Sequence, residues 1–547
     1  MSRAQCGALL GAIFLLFYVV PLGFHGLWIP DETRYAQIGQ AMLRDGDWIA
    51  PHFLGMRYFE KPVAGYWMIA AGQALFGENL LGVRIASLVA TALSTLLVYW
   101  LAQSLWRNRR TSLLAATFYA SFGLIAGQSG YSNLDPQFTW WVNLSIAATW
   151  WALNAHGRGQ RLALWTVTGL ACGMGFLTKG FLAWLLPVLV VVPYALWHKC
   201  WRPLLSYGPL AVVVALLVSA PWALAVHGRE PDYWNFFFWH EHIRRFAAED
   251  AQHVRPWWFY LPLLLAATLP WAGLLPASLK QAWQHRATAQ MAFLLLWMVL
   301  PFVFFSISRG KLPTYIMPCL MPLALIMAHA IDRRLDERRS AALRLNGAIN
   351  LCIAVIAGVV LAYLQWQRPL YVDQPLLLML AALVVAIWGA AGLTQVLQPL
   401  RCWYAPLLGL WTLIAILPAA MPHHVVYNKT PDRFVDEHLA ELAGVRHLVS
   451  NDLGAASALA WRLKTSEVTL YGTRGELKYG LSYVEHSHRS VVPEAFDDWL
   501  QAQRQSGSVG ILLRSKDDSP LTLPPVLAKA KRYSAGRLTL LILEQSR

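Results

Sequence analysis

The sequence predicts a polytopic α-helical membrane protein of about thirteen transmembrane helices, followed by a small C-terminal α/β domain. Three observations predict it. Only 14% of the 547 residues are charged and 57% are hydrophobic, whereas soluble domains carry about a quarter charged residues. The apolar residues form long runs near the roughly 20 needed to cross ~30 Å of hydrocarbon, with short basic clusters between them. Beyond residue 421 the runs stop and a mixed composition begins.

The runs fall at 6–24, 82–105, 112–129, 136–154, 162–178, 181–198, 205–226, 257–276, 290–307, 313–331, 345–365, 375–396 and 404–421. Met1-Ser2-Arg3 leads into the first without a small-residue cleavage site, so it is read as a span. With the N-terminus inside, Arg107, Arg109, Arg110, Arg158, Arg161, Lys199, Arg202, Lys280, Arg286, the arginines from Arg333 to Arg344, and Arg401 all fall in inside loops. That is a positive-inside pattern, and it accounts for the formal charge of +15 without nucleic acid. The odd span count divides the chain into a membrane domain, 1–421, and an outside domain, 422–547, periplasmic in a Gram-negative host. The six cysteines lie in or beside apolar runs, which argues against a disulfide framework and against a cysteine metal cluster.

Two outside loops are long, 25–81 and 227–256. In the first, Asp31 reads as the N-cap of a helix over Glu32–Arg44 that Gly46 stops, and Lys61-Pro62 opens a second over Val63–Phe76. The second loop is rich in aromatics from Tyr233 to Trp239. In the tail, Phe434–Leu442 and Pro493–Gln503 read as helix, and Glu467–Tyr471 and Val509–Leu513 as strand. The pair Gly173 and Gly175, inside a span, reads as a place where helices approach closely.

Ionisable residues at a membrane boundary are expensive and need a reason. Five clusters share the outside face: Asp31, Glu32 and Arg34; Tyr58, Glu60 and Lys61; Asp135; His240, Glu241, His242 and Arg245; Lys311 and Tyr315. Each alone reads as an interfacial anchor, but their common side argues for one shared site. Lys61 stands at a helix start, where charge and free N–H groups together suit a phosphate. No P-loop, kinase set or Rossmann fingerprint is present, so an outside site lacks nucleotide machinery. That fits a donor already in the membrane, a sugar on a polyprenyl phosphate. His residues with Glu60 or Glu241 offer zinc ligands, although no tight spacing such as HExxH occurs.

The segments PDETRYA at 30–36, YFEKP at 58–62, LDP at 134–136, TKGF at 178–181, EHIRRF at 241–246, GKLPTY at 310–315 and GELKYGL at 475–481 resemble the lipid A aminoarabinose transferases. These are undecaprenyl phosphate-α-4-amino-4-deoxy-L-arabinose arabinosyl transferases with the C-type membrane glycosyltransferase fold. The resemblance runs in order from about residue 20 to the tail. It implies transfer of aminoarabinose from undecaprenyl phosphate to a lipid A phosphate at the periplasmic face of the inner membrane, giving resistance to polymyxin. It implies Asp31 and Lys61 as catalytic residues, and Arg34, Tyr58, Asp135, Arg245, Lys311 and Tyr315 around the substrates. A structural zinc near Glu60, His242 and His240 is also implied, with no cofactor required for catalysis and a monomeric chain. The alternatives are another polyprenyl-phosphate-sugar transferase, such as a protein O-mannosyltransferase, and a transporter of lipid-linked sugar. The transporter reading predicts broken helices in paired halves, a symmetry the sequence does not display.

Overall fold

The computed structural model describes residues 11–239, 253–517, 525–528 and 530–546. Seven helices among them are long and apolar enough to cross a membrane: Leu80–Trp106, Arg158–Lys179, Trp201–Arg229, Ala289–Ile307, Pro313–Asp336, Ala341–Gln367 and Pro375–Leu397. Three of the expected spans are shorter apolar helices, Gly11–Gly23, Leu182–Trp197 and Pro406–Ile416. A further helix, Asp135–Leu153, packs among them. The chain is a multi-pass membrane protein.

Two expected spans are not straight, and each explains the other. The run 112–129 is helical over Arg109–Ser121 and again over Gly123–Ser129, with Phe122 extended between them. The run 257–276 divides into Trp257–Ala267 and Ala272–Gln284, which meet at 109°. At the two breaks the Gly123 amide donates to the Leu269 carbonyl at 2.7 Å, and the Trp271 indole donates to Ser121 Oγ at 2.8 Å. A backbone freed inside an apolar layer must find such partners. Gly123 lies within 3.4 Å of the Leu269 and Ala266 carbonyls at its Cβ position, so a side chain there would crowd the junction.

The glycine pair behaves as expected. A Cβ on Gly173 would meet Val218 and Ala215, and one on Gly175 would meet Ala183 and Trp141. Three of the basic loops meet at one end of the bundle, where Arg110 pairs with Asp332 at 3.1 Å, Arg333 contacts His285 at 3.1 Å and Arg334 donates to Ala277 O. The loops 25–81, 130–135, 253–259 and 308–315 meet at the opposite end.

In the first long loop the helices run over Asp31–Asp45 and Ala64–Phe76. Gly46 ends the first in the left-handed region, φ 68°. Asp31 is its first residue and not its N-cap: Pro30 holds that position, without a side-chain cap. The carboxylate therefore caps none of the helix's amides. A short hairpin, β1 (His52–Phe53) and β2 (Met56–Arg57), joins the two helices.

The C-terminal residues form one six-stranded sheet of β3 (His447–Ser450), β4 (Val468–Tyr471), β5 (Ser490–Val491), β6 (Val509–Arg514), β7 (Lys531–Ala535) and β8 (Leu538–Leu543). Its order is β5-β4-β3-β6-β8-β7, parallel from β5 to β6 and antiparallel through β8 and β7. The helix Leu453–Leu463 presses this domain onto Asp31–Asp45. Ser457 Oγ donates to Thr33 Oγ1 at 2.9 Å, Gln40 donates to Trp461 O at 3.0 Å, and the Trp461 indole donates to Gln73 at 3.0 Å. Arg489 donates to Leu54 O at 2.8 Å, and Asp432 accepts from Leu27 N at 2.9 Å. The first loop is thus clamped between the bundle and the sheet.

Candidate active site

The adjacent acids Asp31 and Glu32 leave the same helix start in different directions and meet different fates. Successive helical residues are turned by about 100°. Glu32 is fully buried against Arg84, which is also fully buried, at 2.7 and 2.8 Å. Glu32 also accepts from Trp28 N at 3.0 Å and Ser132 N at 2.8 Å. Burial pushes its carboxyl up, but the Arg84 charge and hydrogen bonds outweigh burial and hold it below the ordinary range. The side chain of Asp31 is 37% exposed.

Asp31 is held by Arg34, one turn on, and its other oxygen lies 3.4 Å from the Tyr131 hydroxyl. Arg34 is buried and its second partner is Glu476, from the C-terminal domain. Tyr58 closes the group by donating to Glu476 Oε2 at 3.0 Å. Burial raises the Glu476 carboxyl, yet Arg34 and the Tyr58 bond, with Lys61 nearby, hold it below its usual value. The Lys61 ammonium donates to Glu60 O at 2.7 Å.

A second group lies on the bundle side. Asp135 begins the helix Asp135–Leu153 and pairs with Lys179, the last residue of Arg158–Lys179. Lys179 Nζ sits 4.8 Å from the centre of the Tyr315 ring. Tyr35, buried between the two groups, is within electrostatic reach of Arg34, Asp31, Asp135 and Glu476. Asp31, Arg34, Tyr58, Lys61, Asp135 and Tyr315 are thereby gathered at one end of the bundle.

Lys311 departs from the expectation of a substrate-facing cation. It is 3% exposed, and its ammonium donates to Arg255 O at 3.1 Å and to Ser308 O. Its backbone N–H donates to His253 O at 3.1 Å, so it secures the turn before Pro313. Arg245, His240 and His242 lie outside the described residues. Glu60 is half-buried, and among the described residues no three His, Cys, Asp or Glu gather as metal ligands.

Sequence reasoning assigned no role to Lys179, Glu476, Tyr131 or Arg84. For Lys179 a signal existed: it is a lone cation closing an apolar helix before Gly180, on the expected outer side. Arg84 is likewise a lone charge near the start of a span. Glu476 stood out only as part of the GELKYGL segment, because its role comes from 442 residues away at Arg34.

An apolar cavity of about 400 Å³ adjoins this site, lined by Leu22, His25, Gly130, Leu269, Trp388 and Leu413 among others. Gly130 precedes Tyr131, so the cavity reaches the neighbour of a residue that touches Asp31.

Comparison with known proteins gives the family. Residues 426–542 match the family model for the arabinosyl transferase ArnT, C-terminal domain, and residues 7–237 match that for dolichyl-phosphate-mannose-protein mannosyltransferase. The chain is 67% identical over 550 residues to an undecaprenyl phosphate-alpha-4-amino-4-deoxy-L-arabinose arabinosyl transferase of Pseudomonas aeruginosa (strain UCBPP-PA14), covering 100% of both. It is 56% identical over 546 residues to the transferase 2 of that description from Pseudomonas fluorescens (strain Pf0-1), again covering 100% of both. Two crystal structures of ArnT from Cupriavidus metallidurans, one apo and one bound to undecaprenyl phosphate, share the fold at a TM-score of 0.81 with 24% and 22% identity. Each comparison covers 99% of this chain and 98% of the other. The chain belongs to the undecaprenyl phosphate-α-4-amino-4-deoxy-L-arabinose arabinosyl transferase family.

Proposed function

We propose that this chain moves 4-amino-4-deoxy-L-arabinose from undecaprenyl phosphate to a phosphate of lipid A, acting as a monomer at the periplasmic face of the bacterial inner membrane. The added amine offsets lipid A charge and gives resistance to polymyxin and other cationic peptides. The observation that carries the reading is the site itself: Arg34 held between Asp31 and Glu476, with Lys61 and Lys179 to either side, beside an apolar cavity.

The chemistry follows from charge. The acceptor phosphate is already anionic and needs little deprotonation. The barrier is the approach of two phosphates and the departure of undecaprenyl phosphate, and preorganised cations lower both. Lys61, together with Arg245, takes the donor phosphate, and Lys179 extends the positive field toward Tyr315. Asp31 orients the sugar or its cationic amine and supports positive charge developing at the anomeric carbon. Arg34 and Tyr131 fix the carboxylate for that task. Positioning supplies much of the remainder. A structural zinc held by Glu60 with His240 or His242 belongs to this proposal, and metal analysis of the purified chain tests it.

The test is the mass of lipid A after incubation with the purified chain and undecaprenyl phosphate-aminoarabinose. An aminoarabinose increment supports the reading, and unchanged lipid A refutes it. The match of residues 7–237 to a mannosyltransferase model favours one rival, a different sugar or a protein acceptor. Parallel reactions with a polyprenyl phosphate-mannose donor and a peptide acceptor separate the two.

A further inference from the structure

At the other end of the bundle a second cavity has no place in this chemistry. It has a volume of about 600 Å³ and lies between the first, second, third and last membrane helices, against Phe14, Leu96, Tyr99, Leu113, Ala116 and Trp411. Four of its hydroxyls are satisfied by helix carbonyls. Thr91 donates to Ser87 O at 3.0 Å, Thr95 to Thr91 O at 2.8 Å, Tyr18 to Ala120 O at 2.9 Å, and Ser121 to Thr117 O. The walls therefore offer hydrocarbon and little else.

One charge lines this groove, Arg109. Its neighbour Arg110 is matched by Asp332 and Asp336, and Arg333 and Arg339 are matched by Glu337 at 3.5 and 3.0 Å. Arg109 is exposed and pairs with no carboxylate among the described residues, and neither does Arg107 just before it. A cation without an acid, at the mouth of a deep apolar groove, complements a phosphate that carries acyl chains. The Arg109 end of the groove is far from the active site, while its other end shares Tyr18 with the cavity beside the site. Arg84, beside the site, and Arg107 lie on and just past one helix, roughly 35 Å apart at 1.5 Å per residue.

We propose that this groove seats an anionic phospholipid of the leaflet opposite the active site, its phosphate at Arg109 and a chain along Tyr99, Ala116 and Trp411. The inference does not depend on the transferase reading.

Native mass spectrometry of the full chain in detergent, titrated with phosphatidylglycerol or with phosphatidylcholine of matched chains, tests it. The wild type should retain phosphatidylglycerol preferentially and saturably. Arg109→Gln should weaken phosphatidylglycerol binding about fivefold, the worth of one cation near a headgroup, while Arg109→Lys keeps most of it. Arg286→Gln, at the same end but away from the groove, should change nothing. Ala116→Trp, which fills the groove, should lower retention of both lipids. Equal retention of the two lipids by the wild type overturns the proposal, as does wild-type retention by Arg109→Gln. Equal losses from Arg109→Gln and Arg286→Gln also overturn it, because they show diffuse surface attraction. Should Ala116→Trp fail to fold, the three arginine variants decide the question.

Discussion

Replacing Arg84 by Met removes the cation that faces Glu32 inside the protein. The guanidinium donates to both Glu32 oxygens at 2.8 and 2.7 Å, to Gly26 O at 2.7 Å, to His25 O at 3.1 Å and to Leu22 O. With neither side chain exposed, water cannot replace it. Without it, Glu32 keeps only the amides of Trp28 and Ser132, and three carbonyls lose a donor. Breaking a buried ion pair on one side costs about 3–5 kcal/mol. An exposed pair such as Arg433–Glu437, 3.9 Å apart, is worth about 0–1 kcal/mol. The assay is thermal unfolding in detergent at a fixed heating rate, followed by fluorescence of the 27 tryptophans. Arg84→Met should melt far below wild type, and Arg433→Gln close to it. The double variant Arg84→Met with Glu32→Gln should recover more than half of the loss, since its stranded group is neutral. The reasoning is refuted if the double variant melts no higher than Arg84→Met, or if Arg84→Met melts no lower than Arg433→Gln.

Other outcomes follow from the site. Lys61→Ala should lower transfer by about 10²-fold or more, as for loss of one preorganised cation, with melting near wild type; retained transfer removes Lys61 from the chemistry. Asp31→Asn keeps the shape and removes the charge, so turnover should fall at least tenfold, and near-normal turnover shows that the charge is dispensable. Glu476→Gln weakens a charge-assisted bond to Arg34 worth about 1.5–3 kcal/mol, which should lower kcat/KM by about 10- to 100-fold without loss of membrane insertion. Burial pushes Asp432 from its ordinary 3.8 up to about 6, with the Leu27 amide and Arg462 opposing. A raised folded-state value stabilises fully below pH 3.8, and that stabilisation is lost as pH rises through about 6, on the order of 3 kcal/mol in all. The melting temperature of the wild type should therefore fall relative to that of Asp432→Asn across that window, and the two should run parallel above it; parallel curves throughout refute the assignment.

Hydropathy located the helices because a span must be apolar along its whole length wherever it packs. It did not locate the breaks at Phe122 and at 268–271. Those depend on one another through Gly123 and Leu269, which are distant in sequence. The two loop helices were legible from their periodicity and from Gly46. Their offset at Asp31 was not, since Pro30 takes the cap. In the tail, β4 and β6 stood out as short strand-like runs, whereas β8, as buried as the β6 strand it pairs with, did not. The site was legible as a set of clusters on one side. Which members face substrate was not, because that is set by packing. Glu32 is consumed by Arg84 and the Lys311 ammonium by two carbonyls, while Glu476 arrives from another domain.

The pairing within the site bears on the donor. Arg34 rests between Asp31 and Glu476, and Lys179 rests on Asp135, so these two cations of the site are already matched by acids. Unmatched cations in so buried a place would carry a heavy desolvation cost. When a phosphate arrives, it displaces part of this matching and leaves carboxylates in need of a positive partner. A neutral hexose on the carrier offers none, and the acids would then oppose the phosphate that the cations attract. An aminosugar phosphate brings both signs together, its amine to the carboxylates and its phosphate to the lysines, so each charge in the site exchanges one partner for another. On this argument the acids around Arg34 act as a filter for the amine, and a donor lacking it should be rejected even where its sugar ring fits.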